Sequence, residues 1–342
     1  MEDIRRIIGY AADKFSKDGD LVGVYLFGSA VYGGLDEESD VDVCFVYDRS
    51  EIRRSREVKE LGGIRLDICR YPSDRFARVF EDERCRDNET TWFDASLWLG
   101  MMRGCEIIKD PHGMLRRWKE AARKWSWRDD EIRPLQRLFL KNLSAAHLLI
   151  QQENTLETLI FLREATSAAV YVRLMKENLL PYWDPRFLYR SLASFHRFKG
   201  LVSTFTIINE LDVVTATRLR LLMNRLKCFV ENEGGENVGV VTQFHNSQDG
   251  YWRRQYASSL LSARFSAFLL APIMLAKRHI GIEPLEERIL DGGQHVVMIN
   301  KLKSAKSFHD FYLSLLLLKR WDMPALRGAF RDLCDLDGVV NS

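Results

Sequence analysis

The first third of the chain alternates between helical and strand-like hydrophobic patterns. Apolar residues recur at three- and four-residue steps over residues 4–15, which predicts an opening helix with one buried face. Apolar runs and β-branched residues predict strands at four places: 21–27, 41–47, 64–71 and 106–109. The charged stretch 48–60 is interpreted as a solvated loop; the alternative is that its cations, Arg53, Arg54, Arg56 and Lys59, contact phosphates or RNA. Helices are expected from a cap at Ser73 or Asp74, over 91–102, and from Asp110-Pro111.

The remainder of the chain has almost no strand pattern. Helical spacing of apolar residues recurs in five stretches: 135–152, 156–179, 201–230, 251–280 and 308–319. The segment 231–249, around Gly234-Gly235, is the best candidate linker in this part. The sequence therefore predicts an α+β protein, with a mixed sheet in an α/β domain at 1–125. A helical domain that closes a cleft is expected at 126–230, and a further helical region of unknown role at 231–342.

Composition narrows the function only slightly. The 342 residues carry a net charge of +2, which by itself indicates neither nucleic-acid nor membrane binding. None of the six cysteines forms a CxxC pair, and the histidines show no ligand spacing, so no zinc site is assigned. The longest apolar stretch, 260–276, is interrupted by Arg264 and Pro272, and no signal-peptide core opens the chain. We expect a cytoplasmic protein with no membrane partner.

Candidate chemistry begins where the first predicted strand ends. Gly28 and Ser29 follow that strand, and Asp40 and Asp42 open the next one. Glycine lets a backbone approach a phosphate closely, and free N–H groups after such a turn bind anions. Strand alternation places Asp40 and Asp42 on one face, away from the core. Paired carboxylates beside a phosphate-binding turn suit Mg²⁺, which prefers a few protein oxygens together with phosphate oxygens.

Asp67 lies in the middle of a third apolar strand. Ile64, Leu66 and Ile68 share one face of that strand, so Asp67 is expected on the side that Asp40 and Asp42 occupy. A buried carboxylate is costly unless it is paired or bound to metal. Three converging carboxylates can hold two divalent ions about 4 Å apart.

This arrangement resembles the signature of the DNA polymerase β-like nucleotidyltransferase superfamily, in its minimal and aminoglycoside nucleotidyltransferase branches. The resemblance is specific over residues 20–70 and looser to about residue 180. It implies that Gly28 and Ser29 hold the triphosphate of an NTP, with ATP as the expected nucleotide. It further implies that Asp40 and Asp42 bind two Mg²⁺ ions, and that Asp67 binds one of them and helps to deprotonate an acceptor hydroxyl. The expected reaction is transfer of NMP with release of pyrophosphate, an EC 2.7.7 activity.

The acceptor is left open by the sequence. A small molecule is preferred; a protein or an RNA is the alternative, and a non-catalytic nucleotide-binding regulator is a third reading. A homodimer is possible. Arg163 and Glu164, on a predicted helix, either face a cleft or form a structural ion pair. Arg190 and His196 have a spacing that also occurs in helical nucleases, but such pairs arise often by chance.

Overall fold

The chain divides into two compact units, residues 1–131 and 132–342. The structure, a computed structural model, describes these residues: 5–6, 8–10, 20–32, 41–48, 55–61, 63–82, 91–180, 199–210, 212, 291–303, 306–316 and 321–335. Residues 5–6 and 8–10 are helical, within the predicted opening helix. The expected division into 1–125, 126–230 and 231–342 stays a prediction, and most of 211–290 lies outside the described residues.

A five-stranded mixed sheet forms the N-terminal unit. Its strands are β1 (Leu21–Phe27), β2 (Val41–Tyr47), β3 (Ser55–Leu61), β4 (Ile64–Pro72) and β5 (Glu106–Lys109). They lie in the order β3-β4-β2-β1-β5, with β2 parallel to β4 and the other neighbours antiparallel. The predicted mixed sheet is confirmed, as are β1 and β2 over their full predicted length.

One face of the sheet buries aliphatic side chains. Val41, Val43 and Phe45 of β2 pack there with Leu66 and Ile68 of β4. Ile8 and Ala30 cover this cluster, and Ala30 belongs to the one-turn helix α1 (Ser29–Tyr32). The alternation expected along β2 and β4 is therefore confirmed, and it leaves Asp42 and Asp67 on the opposite face.

Three helices pack on that opposite face: α2 (Ser73–Phe80), α3 (Thr91–Arg103) and α4 (Met114–Lys124). Their aromatic side chains interlock with those of the sheet. Phe76 stacks on Trp118 at 5.2 Å between ring centroids and meets Tyr25 edge-on at 6.3 Å. Trp98 meets Tyr71 edge-on at 5.0 Å. These contacts add specific geometry to the apolar burial and fix the helices against the sheet.

Two local expectations are wrong. The second half of the expected loop 48–60 is the edge strand β3, which pairs along its whole length with β4. The cap expected at Ser73 or Asp74 is also wrong, because Pro72 occupies the N-cap of α2 and no side chain caps it. The Ser73 hydroxyl donates instead to Asp48 Oδ1 at 3.2 Å.

The helix expected from Asp110 begins later, at Met114. The buried carboxylate of Asp110 accepts hydrogen bonds from the backbone N–H groups of Leu115 at 3.2 Å and Arg116 at 3.0 Å. Asp110 thus satisfies donors that the first turn of a helix leaves unpaired. It caps α4 across the intervening turn, with Gly113 in the left-handed conformation at the N-cap.

Every described secondary-structure element of the C-terminal unit is a helix: α5 (Asp129–Gln151, which begins at the unit boundary), α6 (Thr155–Lys176), α7 (Lys199–Ile208), α8 (Gly292–Leu302), α9 (Lys306–Leu316) and α10 (Met323–Asp335). Helix α6 is buried along most of its length. The α+β assignment is confirmed. Among the described residues no helix is both long and apolar enough to cross a membrane.

Candidate active site

Two carboxylates stand side by side on neighbouring parallel strands. Asp42 of β2 and Asp67 of β4 are direct partners in the strand register. Side chains paired in register point to the same face of a sheet, and neighbouring strands lie about 4.8 Å apart. Asp67 is 1% exposed, whereas Asp42 is half-buried. Two carboxylates this close repel each other unless a cation or a proton lies between them.

Gly28 brings the backbone directly against Asp42. Its φ is +67°, a left-handed conformation that side chains with a Cβ disfavour. A Cβ at this position would lie 2.1 Å from Asp42 Oδ2, which is far inside van der Waals contact. Gly28 is therefore required twice, once by its backbone conformation and once by the carboxylate beside it.

Three parts of the expected site lie wholly or partly outside the described residues. Asp40 and the loop that precedes it are not described, and of Ser29 only the backbone is. Arg190 and His196 also lie outside the described residues. The register thus brings together Asp42 and Asp67 of the expected three carboxylates, and the metal-binding roles of all three stay predictions.

Below the carboxylates the same face carries thiol and phenol groups. Cys44 and Cys69 follow Asp42 and Asp67 by two residues each and pair in register, and Tyr25 pairs with Cys44 from β1. Burial raises the pKa of both Tyr25 and Cys44 well above their usual values. Burial likewise raises the pKa of Cys105 to about 11. Tyr25, Cys44 and Cys105 therefore stay neutral at physiological pH.

The family model described as "Nucleotidyltransferase domain" matches residues 4–98, a segment that contains Gly28, Asp42 and Asp67. Residues 4–98 are a nucleotidyltransferase domain of the DNA polymerase β-like superfamily. No curated protein matches the chain. Among solved structures, the chain is similar to the crystal structure of a nucleotidyltransferase-like protein from Exiguobacterium sibiricum 255-15. That similarity covers 91% of each chain at 9% identity and a TM-score of 0.40, which is too slight to bear on function.

The donor set of the nucleotidyltransferase domain fits a divalent cation. Asp42 and Asp67 offer carboxylate oxygens, the ligands that Mg²⁺ prefers in proteins, and a half-buried Asp42 leaves room for phosphate oxygens and water. Within the described ranges, which exclude Asp40, no cluster of three or more possible metal ligands occurs. A complete site thus requires either Asp40 or ligands from the nucleotide.

Arg163 and Glu164 are committed to contacts inside the C-terminal unit. Arg163 Nε donates to the carbonyl oxygen of Ile208 at 3.1 Å, and its Nη2 lies 3.5 Å from Glu210 Oε2. Glu164 Oε1 lies 2.7 Å from His295 Nδ1. Arg163 and Glu164 are 4% and 5% exposed. Each is therefore a structural residue with its own partner, as in the second of the two alternatives left open by the sequence.

Val58 is a residue of the site that sequence reasoning missed. It pairs in register with Asp67 from the side opposite Asp42, and its side chain is 43% exposed. The nucleotidyltransferase domain thus presents an open apolar side chain beside its buried carboxylate. The signal was weak, because Val58 is a single apolar residue between charged neighbours on an edge strand.

Proposed function

We propose that this protein transfers NMP from an NTP, with ATP as the expected donor, to an acceptor hydroxyl and releases pyrophosphate. The observation that carries the proposal is the register pairing of Asp42 with Asp67, beside Gly28, within a nucleotidyltransferase domain. The transfer depends on divalent ions, expected to be two Mg²⁺, held by Asp42, Asp67 and Asp40. Bound ions would neutralise the phosphate charge that develops in the reaction.

Asp67 is proposed as the proton acceptor. Its side chain is buried between Asp42 on one strand and Val58 on the other, so it is shielded from bulk water. The acceptor oxygen forms a bond to the α-phosphorus as the bond from that phosphorus to the bridging oxygen of pyrophosphate breaks. The acceptor proton passes to the Asp67 carboxylate, and pyrophosphate leaves with the electron pair of the broken bond.

Gly28 and Ser29 are proposed to hold the triphosphate. Helix α1 is only one turn long, so its dipole adds little to anion binding. Binding is therefore proposed to rest on the backbone N–H groups of the turn rather than on a helix dipole. Catalysis in this scheme consists of positioning and charge neutralisation.

A small molecule is the acceptor preferred from the sequence, with protein or RNA as alternatives. The exposed Val58 side chain beside Asp67 offers apolar contact to any of these. The non-enzymatic alternative is a regulator that binds nucleotide without transferring it.

Labelled ATP tests the proposal. The purified chain is incubated with ATP labelled in its α-phosphate, Mg²⁺ and cell extract, and label is then measured in protein, RNA and small-molecule fractions. Asp42→Asn is expected to abolish transfer, and Asp67→Asn to abolish transfer while nucleotide binding persists. Asp74→Asn, at an exposed carboxylate on α2, is the matched control and should transfer normally. Transfer that survives EDTA contradicts the metal assignment, and tight ATP binding with no labelled fraction supports the regulator.

A further inference from the structure

Helix α4 is the most basic of the described helices in the N-terminal unit. Residues 1–131 have a net charge of −5 and residues 132–342 a net charge of +7, which together give the +2 of the chain. Helix α4 is basic although its unit has a net negative charge, because it carries five cations and one acid in eleven residues. We call its five cations the basic surface: Arg116, Arg117, Lys119, Arg123 and Lys124.

The basic surface is the outward side of a helix that is firmly packed beneath. Leu115, Trp118 and Ala122 are buried, while the cations are exposed apart from the half-buried Lys119. Trp118 Nε1 donates to Glu81 Oε1 at 2.7 Å, and Lys119 Nζ donates to the carbonyl oxygen of Cys105 at 2.6 Å. Because the backbone is fixed by these contacts and by the Asp110 cap, the cations are presented from a rigid support.

A groove runs between this helix and the edge of the sheet. It has a volume of about 560 Å³, with Ile107 and Ile108 of edge strand β5 on one side. Arg116, Lys119, Glu120 and Arg123 of α4 line the other side. The carboxylate of Asp110, which lies 3.3 Å from Arg116 Nε, also lines the groove. The groove is open to solvent.

One end of the groove points toward the carboxylates. Arg103 Nε donates to the carbonyl oxygen of Ala122 at 2.9 Å, which places the C-terminal end of α4 at the start of β5. Glu106 at that start pairs with Leu26, and the next residue of β1, Phe27, pairs with Asp42. Strand β5 is two strands away from β2, or about 10 Å. Helix α4 also packs on the face of the sheet that carries Asp42 and Asp67.

We propose that the basic surface binds the phosphodiester backbone of single-stranded RNA, and that this RNA is the acceptor; the second part rests on the proposed function. From Arg116 to Lys124 the helix rises about 12 Å, a length over which the cations can contact more than one phosphate of a single strand. A single nucleotide needs fewer cations than this surface provides. The low net charge that disfavoured RNA in the sequence conceals this local concentration.

Glu120 directs the choice toward RNA rather than DNA. Its carboxylate lies among the cations of the groove, 3.3 Å from Arg123 Nη1. A carboxylate repels phosphate but accepts a hydrogen bond from a 2′-hydroxyl, the group by which proteins tell RNA from DNA. An acidic protein segment would meet the same repulsion at Glu120.

Binding is measured without nucleotide or Mg²⁺, so that it does not depend on the transfer reaction. The probe is a fluorescent single-stranded RNA of twelve nucleotides, followed by anisotropy over a salt series with the full chain. The triple variant R117Q/R123Q/K124Q is compared with R327Q/R331Q/K306Q, which removes three exposed cations of the C-terminal unit. Equal melting temperatures of the two variants establish that both are folded.

The basic-surface variant is expected to bind the RNA at least about tenfold more weakly, and its slope of log affinity against log salt should fall by about 2. The control variant should stay near wild type. Wild type should prefer RNA over DNA of the same sequence, and Glu120→Gln should reduce that preference. The proposal is overturned if both triple variants lose affinity equally, if DNA binds as tightly as RNA, or if poly-glutamate competes with RNA.

Failure of this inference and failure of the proposed function are separable. Labelled small molecules or protein, with no RNA binding, would remove the RNA acceptor and leave the transferase. RNA binding that depends on the basic surface, with no labelled fraction, would keep the surface and remove the transferase.

Discussion

Gly28 is constrained both by its left-handed backbone conformation and by the Asp42 carboxylate beside it. Replacement by alanine forces a Cβ into the space of Asp42 Oδ2 and also occupies the left-handed region. We expect Gly28→Ala to lower label transfer on the order of 100-fold, because a displacement of about 1 Å near reacting groups has an effect of that size. Transfer is measured with α-labelled ATP, and stability by urea unfolding.

Gly113 supplies the matched control for this substitution. It has a φ of +69°, yet nothing lies within 4 Å of its Cβ position. Gly28→Ala and Gly113→Ala should therefore share a backbone cost of about 1–2 kcal/mol, while only the first loses transfer. Equal activity in the two variants would show that the contact with Asp42 does not matter.

At the residue scale, the sequence predicts which side chains belong to the site. It predicts the contacts between those side chains less well. Strand alternation is enough to place Asp42 and Asp67 on one face. It says nothing about register, because a shift of two residues preserves the face and moves the carboxylates apart. The contact between Gly28 and Asp42 joins two strands through their pairing, so no local pattern could have indicated it.

Among the elements, β3 adds a cluster of charged side chains to its backbone pairing with β4. Arg70 Nη2 on β4 donates to Glu57 Oε1 on β3, and Lys59 lies 3.1 Å from the same carboxylate. The hydrogen bond from Arg70 is the main reason that the pKa of Glu57 is lowered. A lowered folded-state pKa contributes stability that is present above the unfolded pKa and is lost as pH falls through the folded pKa.

Glu57→Gln tests this linkage. The difference in unfolding free energy between wild type and variant should be largest near neutral pH and shrink as the pH falls below about 4.3, the ordinary glutamate pKa. Urea unfolding between pH 7 and pH 3 measures it. In an Arg70→Gln background the Glu57→Gln effect should lose most of its pH dependence. A difference that grows with acidity would reverse the assigned sign.

A buried hydrogen-bond network connects three helices of the C-terminal unit. His295 of α8 bonds Glu164 of α6 at 2.7 Å and the Tyr312 hydroxyl of α9 at 2.8 Å, and all three side chains are buried. Burial raises the pKa of both Glu164 and Tyr312. The polar atoms of these side chains form hydrogen bonds with one another, and these bonds offset the cost of burying them.

His295→Ala is expected to destabilise the protein by about 3 kcal/mol, because it leaves a buried carboxylate without its partner. Tyr312→Phe removes one neutral hydrogen bond and should cost about 1 kcal/mol. His147→Ala, at an exposed histidine of the same unit, serves as the control in urea unfolding and should have little effect. A smaller effect for His295→Ala than for Tyr312→Phe would contradict the central place of His295.

The sequence predicts a strand correctly where burial of its side chains alone determines the hydrophobic pattern. Strands β1 and β2 are continuous apolar runs whose residues are nearly all buried, and both were predicted to the residue. Strand β3 reads Ser-Arg-Glu-Val-Lys-Glu-Leu, and its two apolar side chains are more than 40% exposed. An edge strand of this kind is held by pairing to its neighbour, and charged residues on it discourage further pairing. Its pattern alone is therefore that of a loop.

Over the whole molecule, the assignment of a nucleotide and metal site can be tested without knowing the acceptor. A ligand that binds only the folded state stabilises it, by about 2.7 kcal/mol at a hundredfold excess over its Kd. ATP with Mg²⁺ should therefore raise the melting temperature by several degrees in a calorimetric scan. If the two units melt separately, the transition of residues 1–131 should be the one that moves.

The shift in melting temperature is diagnostic because it should require both ATP and Mg²⁺. If Asp42 and Asp67 hold the ions and the ions hold the phosphates, ATP with EDTA should produce a much smaller shift, as should Mg²⁺ with adenosine. Asp42→Asn should lose most of the shift seen with Mg²⁺ and ATP together, whereas Asp74→Asn should keep it. Equal stabilisation by ATP in Mg²⁺ and in EDTA would mean that the nucleotide binds without the carboxylate pair, and the pairing of Asp42 with Asp67 would then have no part in its binding.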